Sequence, residues 1–170
     1  MKIRSMTYTA GLVALVLAGC GSSSSSSSAA GSSSSTSSSA PSLSTFKSGF
    51  STDRTQFRKL GLDLQKAITT AQTKTDAQLA TEIAALAVRA KQQAALLSQL
   101  SPPAKYQSDL QSLVTAFNAV AADLQKISVA ATKNDGPAAK AATVTLIHDS
   151  VKVKAADVAI TTGLKLPANG

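Results

Sequence analysis

The side chains best suited to chemistry are few in this chain of 170 residues, which holds one cysteine, Cys20, one histidine, His148, and one glutamate, Glu82. Metal sites in helical bundles need several His or carboxylate ligands, such as paired Glu-x-x-His units. Thr145 stands three residues before His148, where such a unit would place Glu. We therefore expect no metal, and interpret His148 as a helix-surface or boundary residue.

No arrangement typical of a catalytic centre stands out. There is no Gly-x-Ser-x-Gly turn for a nucleophilic serine. His148 and Asp149 are neighbours, and neighbours on a helix point about 100° apart. Asp109 and Asp123 lie two heptads apart, about 21 Å along a helix, too far for paired-carboxylate hydrolysis of glycosides. We predict that the protein is not an enzyme.

The first 20 residues, MKIRSMTYTAGLVALVLAGC, have the composition of an export signal. Lys2 and Arg4 supply the positive start, and a short apolar stretch follows from Ala10 to Leu17. That stretch is shorter than the roughly 20 apolar residues that a membrane-spanning helix needs. A cleaved signal peptide is therefore predicted. Both methionines, Met1 and Met6, leave with it, so a His–Met haem site is not expected and no cofactor is predicted.

The end of this segment, Leu17-Ala18-Gly19-Cys20, resembles the lipobox of bacterial lipoproteins. The resemblance implies that the Cys20 thiol receives a diacylglycerol and that a signal peptidase recognises Leu17, Ala18 and Gly19 and cuts before Cys20. It predicts a signal peptide over 1–19, anchoring of the protein to a membrane through lipid on Cys20, and a location in the cell envelope. That location is either the outer face of the cytoplasmic membrane or the outer membrane. In lipoproteins of two-membrane bacteria, an Asp after the cysteine tends to mark retention in the inner membrane. Gly21 stands at that position here, so the outer membrane stays an alternative.

Residues 21–45 are mostly serine and glycine and have no apolar pattern to bury. We therefore predict a disordered linker over 20–45 with a span of roughly 25–30 Å. The density of serine and threonine in this stretch, with Pro41, is also compatible with O-glycosylation.

From residue 46 the sequence adopts a helical period, with segments at about 46–72, 76–100, 102–132 and 137–162. The first segment has an apolar stripe of Phe50, Phe57, Leu60, Leu64, Ala67 and Ala71. The stripe of the second is Leu79, Ile83, Leu86, Ala90, Gln93, Leu97 and Leu100. Thr75 and Gln78 have the spacing of a capping box for the second segment. Ser101 is expected to cap the third and Pro102 to occupy its first turn. The third segment has an unbroken heptad seam: Tyr106, Leu110, Leu113, Phe117, Val120, Leu124, Ile127 and Ala131.

The fourth segment is less clear. Its apolar stripe is Val144, Ile147, Val151, Ala155 and Val158, and Gly163 is expected to be its C-cap. Its β-branched residues also allow a hairpin that turns at 148–150.

Four segments of similar length with short connections favour an all-α domain at 46–166, an antiparallel up-down four-helix bundle, followed by a tail at 167–170. Two long helical hairpins, or a helical oligomer that completes its core with another chain, would give the same stripes.

The formal charge of +8 falls to +6 when Lys2 and Arg4 leave. The lysines are scattered between acids, which indicates a solvated surface with at most a weak preference for anionic lipid or cell-wall polymer. Nucleic-acid binding is not expected, because aromatics make up only 4% of the chain.

The stretch LLSQLSPP, which ends at Pro103, and the stretch 162–164 resemble those of small bacterial lipoproteins of unassigned role. The leading hypothesis is therefore a non-catalytic envelope lipoprotein whose helical domain binds another macromolecule, such as an envelope protein, or plays a structural role. The alternatives are a carrier of a small hydrophobic ligand held between helices and a membrane-active amphipathic protein.

Overall fold

The computed structural model describes residues 42–167, and this part is built from four α-helices without a strand. The helices are α1 (Leu43–Thr69), α2 (Asp76–Ser98), α3 (Gln107–Thr132) and α4 (Gly136–Leu164). Single 3₁₀ turns, Ala71–Thr73 and Ala104–Tyr106, lie in the first two connections. The predicted signal peptide and nearly all of the predicted linker lie outside the described residues.

The starts of the first two helices follow from capping. The Ser42 hydroxyl accepts a hydrogen bond from the Thr45 amide at 3.1 Å, so α1 begins before the predicted residue 46. Thr75 and Gln78 form the predicted capping box, in which each side chain accepts from the other residue's backbone amide. These bonds satisfy amide groups that a helix start leaves without a partner.

Contacts at the two ends of the molecule show the up-down topology. Near the start of α1, Phe46 lies 5.5 Å from the Tyr106 ring at the start of α3. The same Tyr106 ring contacts Gly163 at the end of α4. At the other end, the Ser128 hydroxyl late in α3 donates to the Ala80 carbonyl early in α2 at 2.8 Å. Consecutive helices pack closely, and the predicted antiparallel four-helix bundle is confirmed.

The core is formed by the apolar stripes predicted for the first three helices. The seam of α3 is buried from Tyr106 to Leu124, and Ile127 at its far end is half-buried. Aromatic rings join α1 to α3, with Phe57 and Phe117 centroids 5.3 Å apart. Many of the remaining core positions are alanines, as the composition indicated: Ala67, Ala80, Ala87, Ala90, Ala94, Ala116, Ala121, Ala130, Ala142 and Ala156.

The fourth helix turns a different face to the core than its predicted stripe. It runs without interruption from Gly136 to Leu164, so no hairpin forms at 148–150. The buried face of α4 carries Ala142, Leu146, Ala156, Ile160 and Leu164. The stripe that begins at Val144 lies in solvent instead. Since α4 is apolar on two opposite faces, periodicity alone could not decide which one packs.

Two predicted helix ends are also wrong. Pro102 is not helical, because a residue that precedes proline is kept out of the α region by the Pro103 ring. A 3₁₀ turn over Ala104–Tyr106 follows, so α3 begins only at Gln107 and Ser101 does not cap it. Gly163 is not a C-cap: it lies inside α4, and Lys165 adopts the left-handed conformation with φ 52°. The absence of a side chain at Gly163 is explained by packing, since a Cβ there would lie 2.7 Å from the Tyr106 ring.

Candidate functional site

The residues predicted to carry the lipid anchor, Leu17, Ala18, Gly19 and Cys20, lie outside the described residues. Their roles therefore stay predictions. Within residues 42–167, no helix is long and apolar enough to cross a membrane.

His148 lies on the surface of α4 with 74% of its side chain exposed. Its Nδ1 is 3.4 Å from Asp149 Oδ1, closer than neighbours on a helix were expected to come. Asp149 also accepts from Lys152 Nζ at 2.8 Å. The Lys152 hydrogen bond, with a smaller contribution from His148, lowers the pKa of the Asp149 carboxyl. These three side chains form a solvated cluster of charges along one helix.

The other carboxylates do not converge. Asp123 is buried on α3, where its Oδ1 accepts from Lys126 Nζ at 2.9 Å. Its second oxygen has no hydrogen-bond partner among the described residues. Asp63 on α1 pairs instead with Arg89 on α2. Over the described part of the chain, no three His, Cys, Asp or Glu side chains are grouped so that they could hold a metal ion.

The most unusual surface is the outer face of α4, formed by Val144, Ile147, Val151, Ala155 and Val158. The four large side chains are 61%, 62%, 61% and 51% exposed, respectively, and Ala155 is exposed with them. The helical repeat of 3.6 residues places all five on one side, opposite the buried face of the same helix. Exposed valines and isoleucines are unremarkable singly, but a continuous helical stripe of them is typical of a contact surface.

The spacing along this outer face is symmetric. Steps of three and four residues lead from Val144 through Ile147 to Val151, and steps of four and three lead onward through Ala155 to Val158. A half-turn about Val151 therefore exchanges Val144 with Val158 and Ile147 with Ala155. A helix face with this property is complementary to itself in an antiparallel arrangement.

The inner side of α4 is held by a buried ion pair that sequence reasoning missed. Arg54 on α1 is 7% exposed, and its Nε donates to Asp157 Oδ1 at 3.1 Å. Its Nη1 donates to the Pro167 carbonyl at 2.7 Å, which ties the segment after α4 to the same point. The signal was present in the sequence, because Arg54 lies between Phe50 and Phe57 at the spacing of the α1 core stripe.

Together with the packing of α4 on α3, this pair determines which face of α4 is turned outward. Asp157 lies on the α1 side of the helix and cannot reach Arg54 if the helix is rotated by half a turn. The outer face is thus exposed by the same packing that closes the core.

No protein-family model, curated protein or solved structure matches this chain.

Proposed function

We propose that this chain is a non-catalytic lipoprotein of the cell envelope that is anchored by lipid on Cys20 and plays a structural role by self-association. The association is mediated by the outer face of α4, and the observation that carries it is the exposure of that continuous apolar stripe. The likeness of Leu17-Ala18-Gly19-Cys20 to a lipobox supports the anchor.

An apolar stripe of this size favours a partner on physical grounds. Each large side chain on the outer face of α4 leaves about half or more of its surface in water. Burial of apolar surface contributes roughly 25 cal/mol per Å². A helix that is apolar on both sides has the composition of one that is covered on both sides.

The symmetry of the stripe favours a second copy as the occupant. In an antiparallel pair centred on Val151, Val144 of one copy faces Val158 of the other. Ile147 then faces Ala155, which sets the largest side chain of the stripe against the smallest. Such alternation lets two helices approach closely without leaving voids.

The pairing is expected to be weak in solution. One helix face buries less area than a standard interface of about 800 Å² per partner. Anchoring to one membrane raises the effective concentration of the copies and so offsets the weak affinity.

Equilibrium sedimentation tests the association. The mature chain, residues 20–170 with Cys20→Ser, is expected to show a concentration-dependent monomer–dimer equilibrium. Val151→Glu should leave a monomer, because it sets two carboxylates against each other at the two-fold axis. Val88→Glu is the matched control, since Val88 on α2 is 55% exposed and outside the stripe. A wild-type chain that stays monomeric at millimolar concentration would contradict the proposal.

Cysteine cross-linking tests the register. The Cys20→Ser chain has no other thiol. Val151→Cys is expected to form a disulfide with its own copy. Val144→Cys should cross-link efficiently only when mixed with Val158→Cys. Equal cross-linking by Val88→Cys would indicate random collision and would remove the assigned register.

The anchor is tested in cells by labelling with a radioactive fatty acid. The wild-type chain should incorporate label and sediment with membranes, whereas the Cys20→Ser chain should do neither. If the Cys20→Ser chain still sediments with membranes and is released by detergent, the lipid is not what holds it there.

A further inference from the structure

A cleft of about 250 Å³ opens between α1 and α4, with α3 as its floor. The backbones of α1 and α4 approach each other less closely than those of consecutive helices. Phe117, Val120 and Leu124 of α3 lie beneath the cleft and are nearly or fully buried, whereas Leu64 of α1 and Val153 of α4 form its half-buried apolar walls. The seam between α1 and α4 is therefore partly open.

A glycine keeps this cleft open on the α1 side. Gly61 lies in the middle of α1, where glycine costs about 1 kcal/mol relative to alanine. No neighbouring atom requires it, since a Cβ at Gly61 would meet nothing within 4 Å. It differs in this respect from Gly163, which the Tyr106 ring leaves no room to replace.

The rim of the cleft on α4 is polar and carries a cation. Ser150, Lys154 and Asp157 lie along it. Asp157 is already neutralised by Arg54 at 3.1 Å. Lys154 forms no ion pair within residues 42–167, so its ammonium group is available to an anion at the rim.

We propose that this cleft binds a small anionic amphiphile, with its apolar body between Leu64 and Val153 and its carboxylate-type head beside Lys154. A cavity of about 150 Å³ admits a molecule the size of benzene, so this volume suits about ten non-hydrogen atoms. An apolar lining with a few polar groups at its edge is the usual composition of a small-molecule site. This inference goes beyond the proposed self-association and does not depend on it.

Octanoate and 1-octanol are suitable probes, because they share a chain length and differ in charge. Each is titrated into the mature Cys20→Ser chain, below the concentration at which octanoate forms micelles, and followed by amide NMR. Octanoate is expected to bind saturably and to shift the amides around Leu64, Ser150 and Val153. Absence of saturable binding by octanoate would overturn the proposal.

Two glycine substitutions locate the site. Gly61→Leu places a side chain in the cleft and should weaken octanoate binding at least tenfold. Gly136→Leu is the matched control, since a Cβ there also meets nothing within 4 Å and Gly136 is outside the cleft. Circular dichroism verifies that both variants keep the helical fold. Equal binding by Gly61→Leu and the wild type would overturn the proposal.

A lysine substitution tests the head group. Lys154→Gln should weaken octanoate binding by about fivefold, the effect of an exposed ion pair, and leave octanol binding unchanged. Equal affinity of the wild type for the two probes, or shifts confined to the outer face of α4, would overturn the assignment.

Discussion

Two glycines in helix interiors have opposite environments, and single substitutions should show it. Alanine favours a helix over glycine by about 1 kcal/mol. At Gly61 the new methyl group meets open space, so Gly61→Ala should raise the free energy of unfolding by about that amount. At Gly163 the methyl group would lie 2.7 Å from the Tyr106 ring, so Gly163→Ala should lower it. Urea unfolding of the two variants measures both signs, and a gain at Gly163 would show that the Tyr106 ring moves aside freely.

The Asp63–Arg89 pair should make part of the stability depend on pH. Arg89 Nη1 donates to Asp63 Oδ2 at 2.7 Å, and this hydrogen bond lowers the pKa of the Asp63 carboxyl below its usual value. The folded state therefore binds the proton less tightly than the unfolded chain. The resulting stabilisation is present above about pH 4 and is lost as the pH falls through the lowered pKa.

Asp63→Asn should accordingly destabilise the protein at pH 7, and its difference from the wild type should shrink towards pH 2. Unfolding midpoints in urea across this range measure the effect. A difference that is independent of pH would assign the loss to packing rather than to the charge.

Between elements, the Arg54–Asp157 pair is the main polar link of α1 to α4 and to Pro167. Removal of one partner leaves a buried charge without compensation, at a cost of about 3–5 kcal/mol. Arg54→Met should therefore destabilise strongly. Arg89→Met is the matched control, because the Arg89 side chain is 40% exposed. The loss of stability in Arg89→Met should be much smaller. Chemical denaturation compares the two, and similar losses would contradict the role assigned to burial.

The residue that ends α4, Lys165, has a strained backbone conformation. Lys165 has φ 52°, a left-handed conformation that costs an ordinary L-residue roughly 1–2 kcal/mol. Lys165→Gly should relieve about 1 kcal/mol of this and raise the melting temperature. Lys140→Gly, in the body of α4, is expected to lower it. If both substitutions lower the melting temperature, the backbone at Lys165 is not strained.

For the whole molecule, the bundle should unfold cooperatively, and its stability should depend on association. A ligand or partner that binds only the folded state raises the melting temperature with concentration. Far-UV circular dichroism of residues 41–170 should show a strongly helical protein with one transition. The wild-type melting temperature should rise with protein concentration, whereas that of Val151→Glu should not. A wild-type melt that is insensitive to concentration would argue against dimerisation.

Sequence periodicity was sufficient to predict the buried face of a helix wherever the helix is apolar on one face only. The seam of α3 and the stripe of α1 became the core as predicted, because burial of a single apolar face leaves no choice of orientation. The capping box of Thr75 and Gln78 was equally predictable, since its hydrogen bonds are local. The likeness to a lipobox is also carried by the sequence alone, at Cys20 and the residues before it.

Tertiary structure decided what depends on contacts between distant residues. Which face of α4 packs is settled by its fit to α3 and by the pairing of Asp157 with Arg54, which lie far apart in the chain. For the same reason Gly163 had the sequence signature of a helix end, although it is a point of contact with Tyr106. The cleft beside Gly61 is likewise invisible in the sequence, because an open seam arises from the relative placement of three helices and not from the pattern of any one of them.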